Sequence, residues 1–182
     1  QIKPMGSEFN MEINPKFRVR AVGSQKQLPG CNVGEEFNRE ILDRLCKGEC
    51  FNPSDERKII SRIEVVRIRP QAYSGEPIEN LIEDPWKVFD CEASAEGCEV
   101  EFTDENFTDA NREIIYYVRA IQEPSFAINA SNLNCDRDDS GKCIKVNLCG
   151  DIDGQGEGDC LSQAEERAWS SPVFIKSAAD QT

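Results

Sequence analysis

The sequence predicts a mainly β fold: an antiparallel β-sandwich (Ig-like) with one helical insertion and several disulfides. First, short runs of alternating or β-branched apolar residues recur between turn residues along the chain. Second, residues 113–123 are apolar on both faces, which is typical of a central strand covered above and below. Third, nine cysteines occur in 182 residues without paired CxxC knuckles, which favours disulfides over a zinc ribbon.

The composition indicates one folded β-rich domain over residues 1–182 and narrows its partners. Hydrophobic residues make up 38% and charged residues 30%, as in a domain with its own core. The net charge of −13 disfavours a phosphate-tracking surface and an anionic membrane, so we expect neither nucleic acid nor membrane as a partner. The disulfides predict a periplasmic or secreted location.

The chain contains no histidine. Its absence excludes the Ser–His and Cys–His nucleophile systems and the usual histidine-ligated zinc sites. A free thiol would likewise have no imidazole beside it. We therefore expect no catalytic residue and no cofactor-binding residue in this chain.

The first part of the chain predicts a strand, a loop and the helical insertion. Residues 16–22 alternate between apolar and charged side chains, which predicts a half-buried strand. We expect residues 23–34 to form a loop. The insertion is expected at about residues 35–47, an excursion between strands, because its apolar residues share one helical stripe: Phe37, Ile41, Leu42 and Leu45. Residues 52–57 predict a turn.

The middle of the chain predicts a long strand and a hairpin. Residues 58–69 are rich in β-branched residues, and their change of phase near Val65 indicates a bulge or burial on both faces. We expect residues 71–84 to form a polar loop. Residues 86–91 and 98–103 alternate and flank a short loop with a glycine, which predicts a hairpin.

The last part predicts shorter elements around the central strand. We expect residues 125–134 to be irregular and residues 144–147 to form a short strand. Residues 170–175 predict a terminal strand, and we expect residues 176–182 to form a frayed tail.

The cysteine spacing predicts three disulfide-closed loops, at residues 91–98, 135–143 and 149–160. The expected pairs join the ends of these loops: Cys91 with Cys98, Cys135 with Cys143, and Cys149 with Cys160. The remaining Cys31, Cys46 and Cys50 supply one bridge, from Cys31 to one of the other two, and one free thiol. The spacing leaves open which cysteine is unpaired.

Two acidic segments are candidates for binding calcium. Asp136, Asp138 and Ser140 precede a glycine as in a calcium loop, but position twelve is Asn147 and no helix is expected after it. A disulfide-closed hairpin turn explains the same residues. The second candidate consists of Asp151, Asp153 and Asp159, which lie among glycines. The alternative is that these carboxylates are only solvated.

The sequence also offers candidates for a carboxylate-pair active site and for an aromatic glycan site. Carboxylate pairs could perform acid–base chemistry on a sugar, but 34 acidic residues produce pairs by chance and nothing places two across a cleft. Tyr73, Trp86 and Trp169 could form an aromatic platform for a glycan. For Trp86, on a predicted strand, a position in the core is the stronger expectation.

Three segments carry a family resemblance: residues 4–9 (PMGSEF), 116–124 (YYVRAIQEP) and 165–175 (EERAWSSPVFI). With them, the chain resembles the C-terminal region of a family of uncharacterised proteins related to PHP-type (polymerase and histidinol phosphatase) metal-dependent phosphoesterases. The resemblance runs nearly end to end and includes Cys46, Cys50, residues 84–88 and residues 160–161. The closing segment is its most specific part.

The resemblance implies an accessory domain. In that family the metal-binding histidines and aspartates belong to an upstream barrel, so a catalytic divalent metal is expected only there and no catalytic residue is carried over to this chain. The implied partner is that barrel, in an exported hydrolase, and the chain would pack on it or shape access to it. The alternative function is a free-standing extracellular module that binds a glycan or a protein.

Overall fold

The computed structural model describes residues 2–30, 39–46, 50–128, 135–146 and 161–177. Its elements in chain order are β1 (Glu8–Met11), β2 (Lys16–Ala21), β3 (Gln25–Pro29), α1 (Arg39–Cys46), β4 (Phe51–Arg57), β5 (Ile60–Ile68), β6 (Ile82–Asp90), β7 (Cys98–Thr103), α2 (Phe107–Ala110), β8 (Ile114–Gln122), β9 (Ser125–Ile128), β10 (Cys135–Arg137), β11 (Cys143–Val146), β12 (Leu161–Ala164), β13 (Arg167–Trp169) and β14 (Val173–Ser177). The protein is mainly β, as the sequence predicts.

The predicted central strand, β8, lies in the middle of the largest sheet. The strand order is β1-β14-β8-β5-β6. β5 pairs with one edge of β8, while β14 and β13 share the other edge, opposite its first and second halves. These pairings are antiparallel, whereas β1 and β14 run parallel. β8 can occupy this position because Ile114, Tyr116 and Ile121 are all buried.

A second, smaller layer packs on one face of this sheet. It consists of β2 and β7, which pair antiparallel over six residues. Its aromatic residues contact those of the larger sheet: centre to centre, the ring of Phe17 lies 4.7 Å from Tyr116, and the ring of Phe102 lies 5.4 Å from Phe89. Two layers with apolar inner faces are compatible with the predicted sandwich, although here the layers are unequal in width.

The predicted hairpin of residues 86–91 and 98–103 is wrong, although both strands exist. β6 pairs with β5 in the large sheet, and β7 pairs with β2 in the small layer. Alternation identifies a strand but not its neighbour, and the loop between them is long enough to cross between layers. The predicted disulfide is confirmed: Cys91 and Cys98 are bonded with 5.7 Å between their Cα atoms. It therefore links the two layers.

Three further segments differ from expectation. β3 and β4 pair antiparallel where a loop and a turn were predicted; Pro53 is tolerated because these two strands form an isolated ribbon that is mostly edge. β9 and β12 pair where residues 125–128 were expected to be irregular. β6 begins at Ile82, inside the predicted polar loop.

Several other predicted elements are present where the structure describes them, whereas Lys176 and Ser177 continue β14 instead of belonging to the predicted frayed tail. Val65 and Val66 are both fully buried, and the register with β6 shifts between Val65 and Arg67, so the predicted bulge and two-sided burial both occur. α1 occupies the second half of the predicted insertion, whose other residues, 35–38 and 47, lie outside the described ranges. β10 and β11 form the predicted tight hairpin, and β14 is the predicted terminal strand.

Candidate interaction groove

A groove of about 900 Å³ opens beside the small layer, where β2 and β7 leave part of the large sheet uncovered. Its floor is apolar: Val118 and Ala120 of β8 are partly exposed there, next to the buried Ile60 and Ile63 of β5. One wall is the edge of β2 and the residues after it, and the facing wall is β13, whose Ala168 lies opposite Ala120. A second hollow continues it along β2 toward Phe17 and Tyr116. The groove therefore has the position of a strand that the small layer lacks.

The wall formed by β2 is a strand edge. The Asp104 amide donates to the carbonyl oxygen of Pro15 at 3.2 Å, which makes these opposed residues a hydrogen-bonded pair. Because such pairs alternate along antiparallel strands, the main-chain groups of Arg18 and Arg20 point away from β7. Within the described ranges, β7 is the only strand that pairs with β2. The edge of β2 thus presents main-chain donors and acceptors toward the groove.

The mouth of the groove carries more positive than negative charge, in a chain whose net charge is −13. Arg20 and Arg57 line it together with one carboxylate, Glu166. That carboxylate is already held by the Lys58 ammonium at 2.6 Å and by the Gln122 amide at 2.8 Å. The two guanidinium groups therefore give the mouth a positive potential.

Next to the groove's extension lies a buried ionic cluster that joins the two layers. Arg67 on β5 donates to Glu83 on β6 at 2.6 Å and to Asp104, just after β7, at 2.8 Å. The Tyr116 hydroxyl donates to the same Asp104 at 2.7 Å. Burial, and then the hydrogen bond to Asp104, raise the pKa of Tyr116. Burial alone would lower the pKa of Arg67, but its bonds to Glu83 and Asp104 keep it raised.

A ladder of charged side chains lies on the opposite face of the large sheet. Arg62 forms a bidentate pair with Glu165 at 2.7 and 2.8 Å, and its Nε donates to Glu64 at 2.8 Å. Arg119 pairs with Glu64 and with Asp84. Burial tends to raise the pKa of Glu64, but the hydrogen bond from Arg62 and the charge of Arg119 bring it below its ordinary value. The hydrogen bonds from Arg62 also lower the pKa of Glu165. The arrangement holds these carboxylates ionised and paired with guanidinium groups.

The first predicted calcium segment forms the turn of the β10–β11 hairpin. Oδ1 of Asp138 accepts hydrogen bonds from the Ser140 amide, the Ser140 hydroxyl and the Lys142 amide. The hydroxyl, then the Lys142 amide, lower the pKa of this carboxyl. Asp136 lies 3.9 Å from the Lys145 ammonium. These contacts stabilise the turn through oxygen atoms that a calcium ion would also need.

The second calcium segment, with Asp151, Asp153 and Asp159, lies outside the described residues. Within the described ranges, no group of three or more His, Cys, Asp or Glu side chains is placed to hold a metal ion. Calcium binding by either segment remains a prediction.

The three aromatic residues weighed for a glycan platform occupy different environments. Trp86 packs in the core between Tyr116 and Phe102, with both ring centres 6.0 Å away, and the Arg67 guanidinium lies 4.2 Å from its ring centre. Tyr73 and Trp169 are 63% and 61% exposed. Trp169 lies opposite Arg119, so its side chain belongs to the face of the large sheet away from the small layer. The groove itself was missed by the sequence analysis, although the cationic outer face of β2 was visible in its alternation.

Two more of the predicted disulfide cysteines are bonded. Cys50 and Cys143 each belong to a disulfide, and their partner sulfurs lie outside the described side chains. Cys31, Cys149 and Cys160 lie outside the described residues, as do the side chains of Cys46 and Cys135. In the described part of the chain, no helix is long and apolar enough to cross a membrane.

No family model, curated protein or solved structure matches the chain.

Proposed function

We propose that this chain is the non-catalytic C-terminal β domain of an exported, PHP-like metal-dependent hydrolase, and that its task is to bind the catalytic region of the same protein. The groove beside β2 is the observation that carries the proposal. It offers an apolar floor, a strand edge and a positive mouth, which suit a protein surface. The chemistry of the parent enzyme would reside in the barrel implied by the resemblance.

The arrangement of the three resembling segments supports treating them as one unit. Residues 4–9 lead into β1, residues 165–175 contain β13 and β14, and residues 116–124 lie largely in β8. These strands are neighbours: Glu8 is opposite Phe174, Val173 is opposite Tyr116, and Ala168 is opposite Ala120. The segments on which the resemblance depends therefore build one continuous part of the large sheet.

An experiment on the whole gene product tests the proposal. The gene is read upstream of Gln1, and its complete product and the 182-residue chain are expressed in parallel, with disulfides intact. We expect the complete product to hydrolyse a nitrophenyl phosphoester with added manganese or zinc, and the chain alone to show no turnover. Turnover by the chain alone, or an upstream sequence without metal-binding histidines and aspartates, would contradict the proposal.

The alternative, a free-standing module for a glycan or protein, has one observation in its favour. Trp169 on β13 is 61% exposed, and exposed aromatic side chains are common at recognition surfaces. A complete gene that encodes a signal peptide followed directly by residue 1 would favour this alternative.

A further inference from the structure

The sequence of β7 shows which kind of strand pairs with β2. In β7, Glu99 and Glu101 face outward, and Val100 and Phe102 face the large sheet. The carboxylates bind the cations of β2, with Glu101 at 2.6 Å from Lys16 and Glu99 at 2.6 Å from Arg18. A partner of β2 thus alternates carboxylate and apolar side chains, so that each type meets its complement.

The second edge of β2 presents the same two faces. Val19 and Ala21 still point toward the large sheet, and the cationic side chains still point outward. The pairs to β7 run diagonally, which leaves Arg20 without an ion pair among the described residues. Arg57 adds its charge at the same mouth.

We propose that the groove binds an extended segment of a partner polypeptide, alternating carboxylate and apolar side chains, which adds to β2 as the third strand of the small layer. Its main chain would bond to Arg18 and Arg20, its apolar side chains would cover Val118 and Ala120, and its carboxylates would reach Arg20 and Arg57. The inference rests on the proposed function in one respect: the proposed function identifies the catalytic region as the source of this segment. The positive mouth in an acidic chain selects for such a strand.

The test uses the 182-residue chain and a peptide copying residues 98–105 with serine in place of Cys98. Binding is measured by calorimetry. We expect saturable binding that is weakened at least about tenfold when the two strand glutamates of the peptide are replaced by lysine. Versions of the peptide methylated at single backbone nitrogens should lose binding at every second position, because only alternate amides face β2.

Variants of the protein locate the site. Arg20→Glu should weaken binding at least about tenfold through charge. Arg20→Pro should abolish strand addition, yet leave the melting temperature nearly unchanged, because the Arg20 amide points away from β7. Glu12→Gln, a change at an exposed residue away from the groove lining, should leave binding unchanged. If Arg20→Pro does not fold, the methylated peptides still decide the question.

The proposal is overturned if the peptide does not bind, or if methylation has no alternating effect. It is also overturned if Arg20→Glu binds as the unmodified chain does. Self-association of the chain that Arg20→Glu abolishes would make a second copy the occupant and overturn the assignment to a partner. If the peptide binds but the gene encodes no upstream barrel, the proposed function is contradicted and the strand-addition proposal is not. The two failures are therefore distinguishable.

Discussion

Nη1 of Arg67 lies 2.9 and 2.8 Å from the two carboxylate oxygens of Asp104, which is fully buried. Arg67 belongs to the large sheet, and Asp104 directly follows β7 of the small layer. The pair therefore fixes the two layers to each other through a nearly buried charge contact. Removing Asp104 leaves Arg67 with Glu83 as its acidic partner on the large sheet and leaves the Tyr116 hydroxyl without its acceptor, which is more costly than losing a surface pair.

We predict that Asp104→Ala lowers the free energy of unfolding by about 3–5 kcal/mol, measured by urea denaturation. The matched control is Glu101→Gln, whose partner Lys16 is 65% exposed; this change should cost far less, because solvent screens an exposed pair. Equal losses for the two variants would show that the buried pair does not hold the layers together. The double variant Arg67→Met with Asp104→Leu should recover much of the loss, because no charge is left buried.

Tyr116→Phe is expected to reduce stability by about 1–3 kcal/mol, because Asp104 loses a hydrogen bond in a buried site. The phenol also gives a pH signature. Its folded-state pKa is raised by burial and by Asp104, so its contribution to stability is complete below the ordinary tyrosine pKa of 10.0 and is lost as the pH rises beyond it. The unmodified chain and the variant should therefore converge in stability in strong alkali.

Ultraviolet titration checks this prediction. The difference in phenolate absorbance between the unmodified chain and Tyr116→Phe isolates the single hydroxyl. We expect no difference near the ordinary pKa and ionisation of Tyr116 only at higher pH, with unfolding. A difference curve with a midpoint near 10.0 would show that the hydroxyl is solvated.

The elements that the sequence predicted well are those with strong periodicity. Residues 16–22, 58–69 and 113–123 became β2, β5 and β8 because alternation or two-sided apolarity reports burial directly. Which strands pair with each other was harder to predict from the sequence. Residues 86–91 and 98–103 carry hairpin signals, yet Glu99 and Glu101 complement Arg18 and Lys16 of β2, and this distant complementarity decided the neighbour.

The groove could not be predicted from the sequence for a related reason. It results from the unequal widths of two layers, and no single segment encodes that difference. Arg20 and Arg57 are separate in sequence and meet only after β2 and β4 are in place. The buried cluster around Asp104 could not be predicted either, because the sequence does not indicate which of its 34 acidic residues is buried.

The Cys91–Cys98 disulfide links the layers close to the apolar cluster of Ile60 and Ile63. Closing a loop of this length stabilises the folded state by about 2–3 kcal/mol in the chain-entropy model. We predict that the double change of both cysteines to alanine lowers the free energy of unfolding by about that amount in urea. Other disulfides stay intact in this variant, so a loss close to zero would mean that the layer contacts alone fix this connection.

Glu76 provides a prediction at acid pH. Its carboxylate accepts two hydrogen bonds from Arg112, at 2.9 and 3.0 Å, and one from the Ala72 amide at 2.7 Å. The bonds from Arg112, then the one from Ala72, lower the pKa of Glu76 from 4.5 to about 2. A depressed carboxyl pKa stabilises the fold above the unfolded-state value, and this contribution is lost as the pH falls through the folded-state value. The stability advantage over Glu76→Gln should therefore be complete above pH 4.5 and disappear toward pH 2.

Carbon-detected NMR of the side-chain carboxyl measures the midpoint of Glu76 directly. In the unmodified chain we expect a midpoint near 2, and in Arg112→Gln a midpoint shifted back toward 4.5, because the amide of glutamine donates a weaker, uncharged hydrogen bond. The Ala72 amide remains in place in that variant, so the return should be incomplete. A midpoint of Glu76 that does not respond to Arg112→Gln would mean that the guanidinium does not hold this carboxylate in solution. The loop of residues 71–80 would then lack its anchor to the segment that leads into β8.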